Sequence, residues 1–245
     1  RLNLPFFSVT TQPYTRKQDL DLFYLLSSLA GTIYKAALDL RLLQSSVFAE
    51  TAEPFGKKQV GSSAMPFKRN PIQLEKIDSL ARMISAYPGV AWGNYAHSLL
   101  ERTLDDSGNR RAMLPEIFLA ADEILLSFTA VISGLEIKEP FIQANLAKFA
   151  PFAATERILL QAVKKGADRQ QMHEHLRTLS MQAWKQVEDQ LPNNLVDLIR
   201  SDVEIKKYLN DREVEETFDI SRYLGVAVTR SRELATRIVR EYTPA

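Results

Sequence analysis

An all-α fold follows from three features of the sequence. Apolar residues recur at spacings of three and four through stretches far longer than the roughly 11–12 residues of an average helix. No run alternates apolar and polar residues with the period of two that a half-buried strand needs. Pro, Gly and capping residues gather at the ends of the periodic stretches. Three long stretches imply a bundle of long helices in residues 1–137. Shorter ones after them imply a smaller helical C-terminal domain in residues 138–245.

Residues 1–16 are irregular, with Pro5, Pro13 and the polar cluster Thr10-Thr11-Gln12. From Lys17, Leu22, Leu25, Leu29, Ile33, Ala37 and Leu40 predict a first helix over 17–48, with Asp19 and Asp21 in its first turns, where the helix dipole favours acids. Residues 59–71 lose all periodicity and carry Gly61, Pro66 and Pro71, so they predict a loop. Asn70 is the expected N-cap and Pro71 the first position of a second helix, whose buried face would hold Ile77, Ala81 and Ile84. Pro88-Gly89 is expected to kink or end it. A third helix over 111–136 carries Ile117, Phe118, Ala121, Ile124 and Val131 and stops near Gly134. Beyond the expected domain boundary, Thr155–Lys165 reads as a helix closed by Gly166, Asp168–Gln186 as another and Asp219–Tyr242 as a last.

Composition narrows the chemistry. With 31 basic against 30 acidic residues the net charge is +1, so nothing in the global charge calls for nucleic acid or a membrane surface, and any anion site must be local. The absence of cysteine excludes disulfides, thiolate metal sites and cysteine nucleophiles, and it fits a reducing, cytoplasmic setting. No apolar run approaches the ~18–20 residues that span a bilayer. The abrupt start at Arg1 suggests a piece of a longer protein.

Familiar motifs fail. Gly56-Lys57-Lys58 and Gly61-Ser62-Ser63 lack the spacing of a Walker loop. His173-Glu174-His175 places two imidazoles at i and i+2, which point apart on a helix, and offers no third ligand. His97 reads as a surface histidine, and Asp105-Asp106 as helix caps. The loop is different. Ser62 and Ser63 beside glycine, followed by Lys68 and Asn70, suit proton abstraction from a carbon next to a carboxylate. A hydroxyl can act as a base only where backbone N–H groups or an ammonium stabilise its alkoxide. The same cation and the Asn70 amide could hold a substrate carboxylate.

Gly61-Ser62-x-x-Met65-x-x-Lys68-x-Asn70 resembles the signature of the fumarase/aspartase superfamily, and the fuller run to Pro71 is similar to that of the adenylosuccinate lyases. Glu101-Arg102-Thr103-Leu104-Asp105-Asp106-Ser107-Gly108-Asn109-Arg110-Arg111 resembles the stretch with which that family holds a nucleotide phosphate. Its chemistry is plausible unaided, since a serine and arginines at a helix start make an anion site. Thr10-Thr11-Gln12-Pro13-Tyr14 is similar to the family's substrate-contacting glutamine region.

The resemblance implies a long-helix bundle of the fumarase/aspartase type and a carbon–nitrogen lyase that releases fumarate from adenylosuccinate, giving AMP, and from the succinylated aminoimidazole carboxamide ribotide. It implies Ser62 as base with Ser63 its neighbour, and Met65, Lys68 and Asn70 against the succinyl group. It makes Glu75 the acid that orients a catalytic histidine, Gln12 a substrate contact, and Arg102, Ser107 and Arg111 the phosphate ligands. It further implies a small-molecule nucleotide substrate, no cofactor, and a homotetramer whose active sites combine subunits. The family's catalytic histidines lie upstream of the matched region, and none of His97, His173 and His175 sits in a matching motif. The chain alone is therefore expected to be a fragment without its general acid, and inactive. An argininosuccinate lyase-type enzyme, which would keep the loop without the phosphate stretch, and a non-catalytic helical scaffold are the alternatives.

Overall fold

Residues 6–56, 65 and 68–242 are described by the computed structural model. They form two units, residues 1–142 and 143–245, each with its own core. Helix accounts for most of the described residues, as the periodicity requires.

The first unit is built on three long helices: α1 (Lys17–Gln44), α2 (Ile72–Ala96) and α3 (Ser107–Ser133). Phe23, Ala30, Ile33 and Ala37 of α1 meet Leu74, Ile77, Ala81 and Ile84 of α2 and Ile117, Ala121, Ile124 and Val131 of α3. The packed face of α1 is rotated from the expected one. Leu20 and Phe23 are buried, while Leu25, Leu29, Leu38 and Leu42 stay exposed. Phe118, Leu125 and Ile132 of α3 are likewise exposed. The physical reason is that these helices are apolar on more than one side, and two neighbours within one chain cover only one of them.

Helix α2 both starts and runs differently from expectation. α2 begins at Ile72, and neither Asn70 nor Pro71 caps it through a side chain. It also continues through Pro88, whose ring is buried, and ends only at Ala96. Core packing here outweighs the hydrogen bond lost at proline.

A two-residue antiparallel ladder joins β1 (Thr51–Ala52) to β2 (Glu136–Ile137), a pairing too short to leave a period-two trace in the sequence. Lys138 N–H donates to Glu50 O at 2.8 Å and extends it. Beside the ladder Gly134 closes α3, and a Cβ there would come within 2.8 Å of Pro54 Cβ, so glycine is required by the close approach of two segments. This ladder fixes residues 51–54 against the end of α3.

Helix α4 (Glu139–Ala153) spans the division between the units. The second unit continues with α5 (Thr155–Lys164), α6 (Arg169–Glu188), α7 (Leu195–Ser201), α8 (Val203–Lys206), α9 (Asp211–Phe218) and α10 (Ala227–Tyr242). Ile158, Leu176, Leu195, Ile199 and Ile205 form its core. Gly166 at φ +99° turns the chain out of α5, as the glycine there predicts. The helix expected over Asp219–Tyr242 is broken: a 3-10 turn over Ile220–Tyr223 precedes α10, and Gly225 between them has φ +52°. Among the described residues, no helix is long and apolar enough to cross a membrane.

Candidate active site

The residues singled out in the sequence fall into two groups at opposite ends of α1. At its C-terminal end Arg41, Lys68, Arg69, Asn70, Glu75 and Lys138 line an open cavity of about 710 Å³. Four cations against one carboxylate make it an anion-seeking site. Arg41 is partly committed: it reaches the buried Asp78 at 2.5 Å and Glu75 at 3.6 Å. The Lys68 ammonium has no partner among the described residues and is exposed, so it is free to meet a ligand. Met65, whose carbonyl accepts from Lys68 N–H at 3.0 Å, does not line the cavity. Ser62 and Ser63 lie outside the described residues.

The shape of this end is set by a residue that the sequence reading passed over. Glu53 is only 2% exposed, and its carboxylate caps α2 in place of Asn70, accepting from Gln73 N–H at 3.1 Å and Leu74 N–H at 3.2 Å. The β1–β2 ladder carries it there. Gln44 binds both sides of the gap: its Oε1 accepts from Glu53 N–H at 2.8 Å, and its Nε2 donates to Arg69 O at 3.3 Å. Arg69 stacks over Phe55 at 4.9 Å. Thus Lys68 and Asn70 are held between a capped helix start and the end of α1.

Burial pushes the Glu53 carboxyl above its ordinary value, although the backbone N–H groups of Gln73, Leu74 and Ile72 oppose the rise. A carboxyl with a raised folded pKa keeps its proton after the unfolded chain has released it. Stability therefore falls as pH rises from the ordinary glutamate value through the folded one, and the penalty is complete above it. Glu53→Gln removes the titrating carboxyl and keeps a neutral group of the same size. Denaturant unfolding followed from about pH 4 to about pH 7 should show the difference between wild type and Glu53→Gln shifting against the wild type as pH rises. Parallel profiles would count against this.

At the N-terminal end of α1, Arg102 Nη1 donates to Gln12 Oε1 at 2.8 Å. Ser107 is the first residue of α3 and its N–H donates to Leu104 O at 3.1 Å; the helix start has no side-chain cap, so the next two N–H groups, of Gly108 and Asn109, are available to an anion. Arg111, one turn on, is exposed and has no partner among the described residues. Arg110 behaves differently, since it donates to Asp19 at 2.7 Å and lies 3.7 Å from Asp106. Asp106, expected to be a cap, makes no capping bond; it is 2% exposed and pairs with Arg16. Its burial left no mark in the sequence, where an acid before a helix looks like a cap.

Asp19 and Arg41 mark the two ends and are separated by about 33 Å along α1 at 1.5 Å per residue. One chain therefore cannot bring Lys68 and Asn70 to the same small molecule as Arg102, Ser107 and Arg111.

Among the described residues, no contact ties a histidine to a residue of either group. His97 is exposed, with Nδ1 3.0 Å from Gly93 O. In the second unit His175 Nε2 lies 2.8 Å from Asp202, whose carboxylate also caps α8. His173 lies in a shallow groove with Arg169 and Arg177. Among the described residues no group of three or more potential ligands surrounds a metal position.

Residues 151–242 match the family model described as adenylosuccinate lyase C-terminus, and residues 8–85 match the one described as lyase. The adenylosuccinate lyase of Schizosaccharomyces pombe is 38% identical over 96% of this chain and 48% of its own length. That of Saccharomyces cerevisiae is 39% identical over 90% of this chain and 45% of its own length. Among solved structures, 3-carboxy-cis,cis-muconate lactonizing enzyme from Pseudomonas putida superposes with a TM-score of 0.74 at 22% identity, covering 88% of this chain and 47% of that one. The likeness at that identity is one of fold. The chain spans about half the length of the curated relatives it matches.

Proposed function

The chain belongs to the adenylosuccinate lyase family of the fumarase/aspartase superfamily, and from that premise we propose that it supplies two separate parts of an active site that eliminates fumarate from adenylosuccinate and from the succinylated aminoimidazole carboxamide ribotide. The observation that carries this reading is the sorting of charges. A cationic cavity beside the loop suits a dicarboxylate, and an uncapped helix start flanked by Arg102 and Arg111 suits a phosphate.

In this reading Ser62, with Ser63 beside it, removes the proton from the succinyl carbon next to a carboxylate. The electron pair moves into that carboxylate as an aci-carboxylate, and Lys68 and Asn70 stabilise the charge that builds there. The carbon–nitrogen bond then breaks, the pair returns to form the fumarate double bond, and a general acid protonates the departing nitrogen. Glu75 orients that acid, with Arg41 at 3.6 Å holding Glu75 at the cavity wall. The acid itself comes from outside this chain. Arg102, Ser107 and Arg111 hold the phosphate of the nucleotide, and Gln12 contacts the succinyl or ring portion.

The 33 Å separation supports an assembly in which the loop end of one copy meets the phosphate end of another, as in a homotetramer. Leu25, Leu29, Phe118 and Leu125 are apolar surface available for that packing. A cytoplasmic location accords with a nucleotide substrate and a chain without cysteine.

The test is nucleotide binding, because the phosphate end lies within one chain. AMP titrated into the chain and followed by calorimetry should bind. Arg102→Ala and Arg111→Ala should each weaken it by about 10- to 100-fold, the loss of one charge-assisted hydrogen-bonding partner of about 1.5–3 kcal/mol. A wild-type chain that does not bind AMP would instead favour a superfamily lyase that does not take nucleotides, and equal affinity in wild type and both variants would remove Arg102 and Arg111 from the nucleotide site.

A further inference from the structure

Five side chains at the N-terminal end of α1 form a closed polar cluster with no part in the chemistry above. The Tyr14 hydroxyl donates to Asp19 Oδ1 at 2.7 Å and accepts from Arg110 Nη2. Arg110 donates through Nε to the other oxygen of Asp19 at 2.7 Å. Arg16 donates to Asp106, which also faces Arg110 at 3.7 Å. The Tyr14 ring lies near both guanidiniums, 4.9 Å from Arg16 and 5.6 Å from Arg110. Asp106 is 2% exposed and Asp19 8% exposed, so both carboxylates are withdrawn from water.

The charges of this cluster cancel, since two arginines face two aspartates. It has no capacity left to attract an anion. Its position, however, is at the junction of two segments that carry proposed substrate ligands. Tyr14 follows Gln12 by two residues, across Pro13 and a turn in which Thr11 Oγ1 donates to Pro13 O at 3.0 Å. Asp106 immediately precedes Ser107. Arg110 immediately precedes Arg111. The cluster therefore joins the segment of Gln12 to the first turn of α3, while Gln12 itself holds Arg102 at 2.8 Å.

We propose that the Tyr14–Asp19–Arg110–Asp106–Arg16 cluster is a neutral frame that positions the phosphate ligands, with Tyr14 as its keystone and Arg102 and Arg111 as the two cations it leaves without a carboxylate partner among the described residues. This rests on the nucleotide reading of the preceding subsection. Tyr14 is a positioning residue in it, acting through Gln12 and Arg102 on one side and through Arg110 and Arg111 on the other. Because a guanidinium–phosphate pair depends on angle as well as distance, loosening the frame weakens binding without removing any charge.

Tyr14→Phe tests this, since it keeps the ring and its stacking and removes only the hydroxyl. With the fold checked by circular dichroism and denaturant midpoint, its Kd for AMP and for inorganic phosphate should rise about three- to tenfold, the size of one net hydrogen bond. The same substitution in an Arg102→Ala background should have a much smaller effect, because residues that act through one another are not additive. A purely structural loss would persist undiminished in that background. Unchanged affinity in Tyr14→Phe, or an equal loss in both backgrounds, overturns the frame while the nucleotide reading stands. A wild-type chain that binds neither AMP nor phosphate overturns both.

Discussion

Asp106→Ala is expected to lower the unfolding free energy by about 3–5 kcal/mol, the loss seen when one partner is removed from a buried ion pair. Three features set the size. The Asp106 side chain is 2% exposed, and the side chains of its partners Arg16 and Arg110 are 12% and 19% exposed. Without Asp106, Arg16 has no carboxylate and Arg110 keeps only Asp19, so at least one guanidinium is left largely desolvated and unpaired. Asp39→Ala provides the contrast, because the Lys35–Asp39 pair lies on the surface of α1 and is worth at most about 0.5 kcal/mol. Denaturant unfolding of the two variants, compared with the wild type, reads both effects. If Asp106→Ala were as mild as Asp39→Ala, the carboxylate would have to be solvated, against its burial.

In the fumarate-releasing enzyme proposed above, pairs of impaired variants should restore one another. Lys68→Ala removes a cation from the loop end, and Arg111→Ala one from the phosphate end. Each should lower fumarate formation by roughly 100-fold or more, the scale for deleting one group that stabilises developing charge or anchors the substrate. If one active site draws its loop end and its phosphate end from different copies, a mixed assembly contains some sites built only from intact halves. Unfolding and refolding the two variants together should then give activity well above the sum of the separate proteins. A mixture no more active than that sum would mean that both ends serve a site within one copy, which 33 Å of helix α1 opposes.

The long helices and the two polar stretches were legible because each writes a local signal. Periodicity marks a helix whatever it packs against, and the spacing of Gly61, Met65, Lys68 and Asn70 resists any bland reading. The errors came where a local rule met a tertiary partner. Asn70 has the chemistry of an N-cap, yet Glu53, brought in by the ladder at residues 51–52 and 136–137, holds that position instead. Pro88 has the chemistry of a helix breaker, yet its burial in the bundle keeps α2 continuous.

Charge shows the division most clearly. Arg110 and Arg111 are adjacent and chemically identical, and the only local sign that separates them is Asp106, four residues before Arg110. One faces Asp19 and Asp106 and is neutralised, whereas the other is exposed and without a partner among the described residues. A 100° step around a helix axis decides which side each arginine faces, and the aspartates that claim Arg110 come from different segments of the chain. The sequence by itself determined the all-helical class, the run of long helices and the membership of Lys68, Asn70, Arg102 and Arg111 in two chemically distinct stretches. Only the tertiary structure decided which apolar side of each helix is packed, which acids are withdrawn into ion pairs and which cations stay free. It also placed the two stretches at opposite ends of α1, because burial and distance arise from segments that meet only after folding.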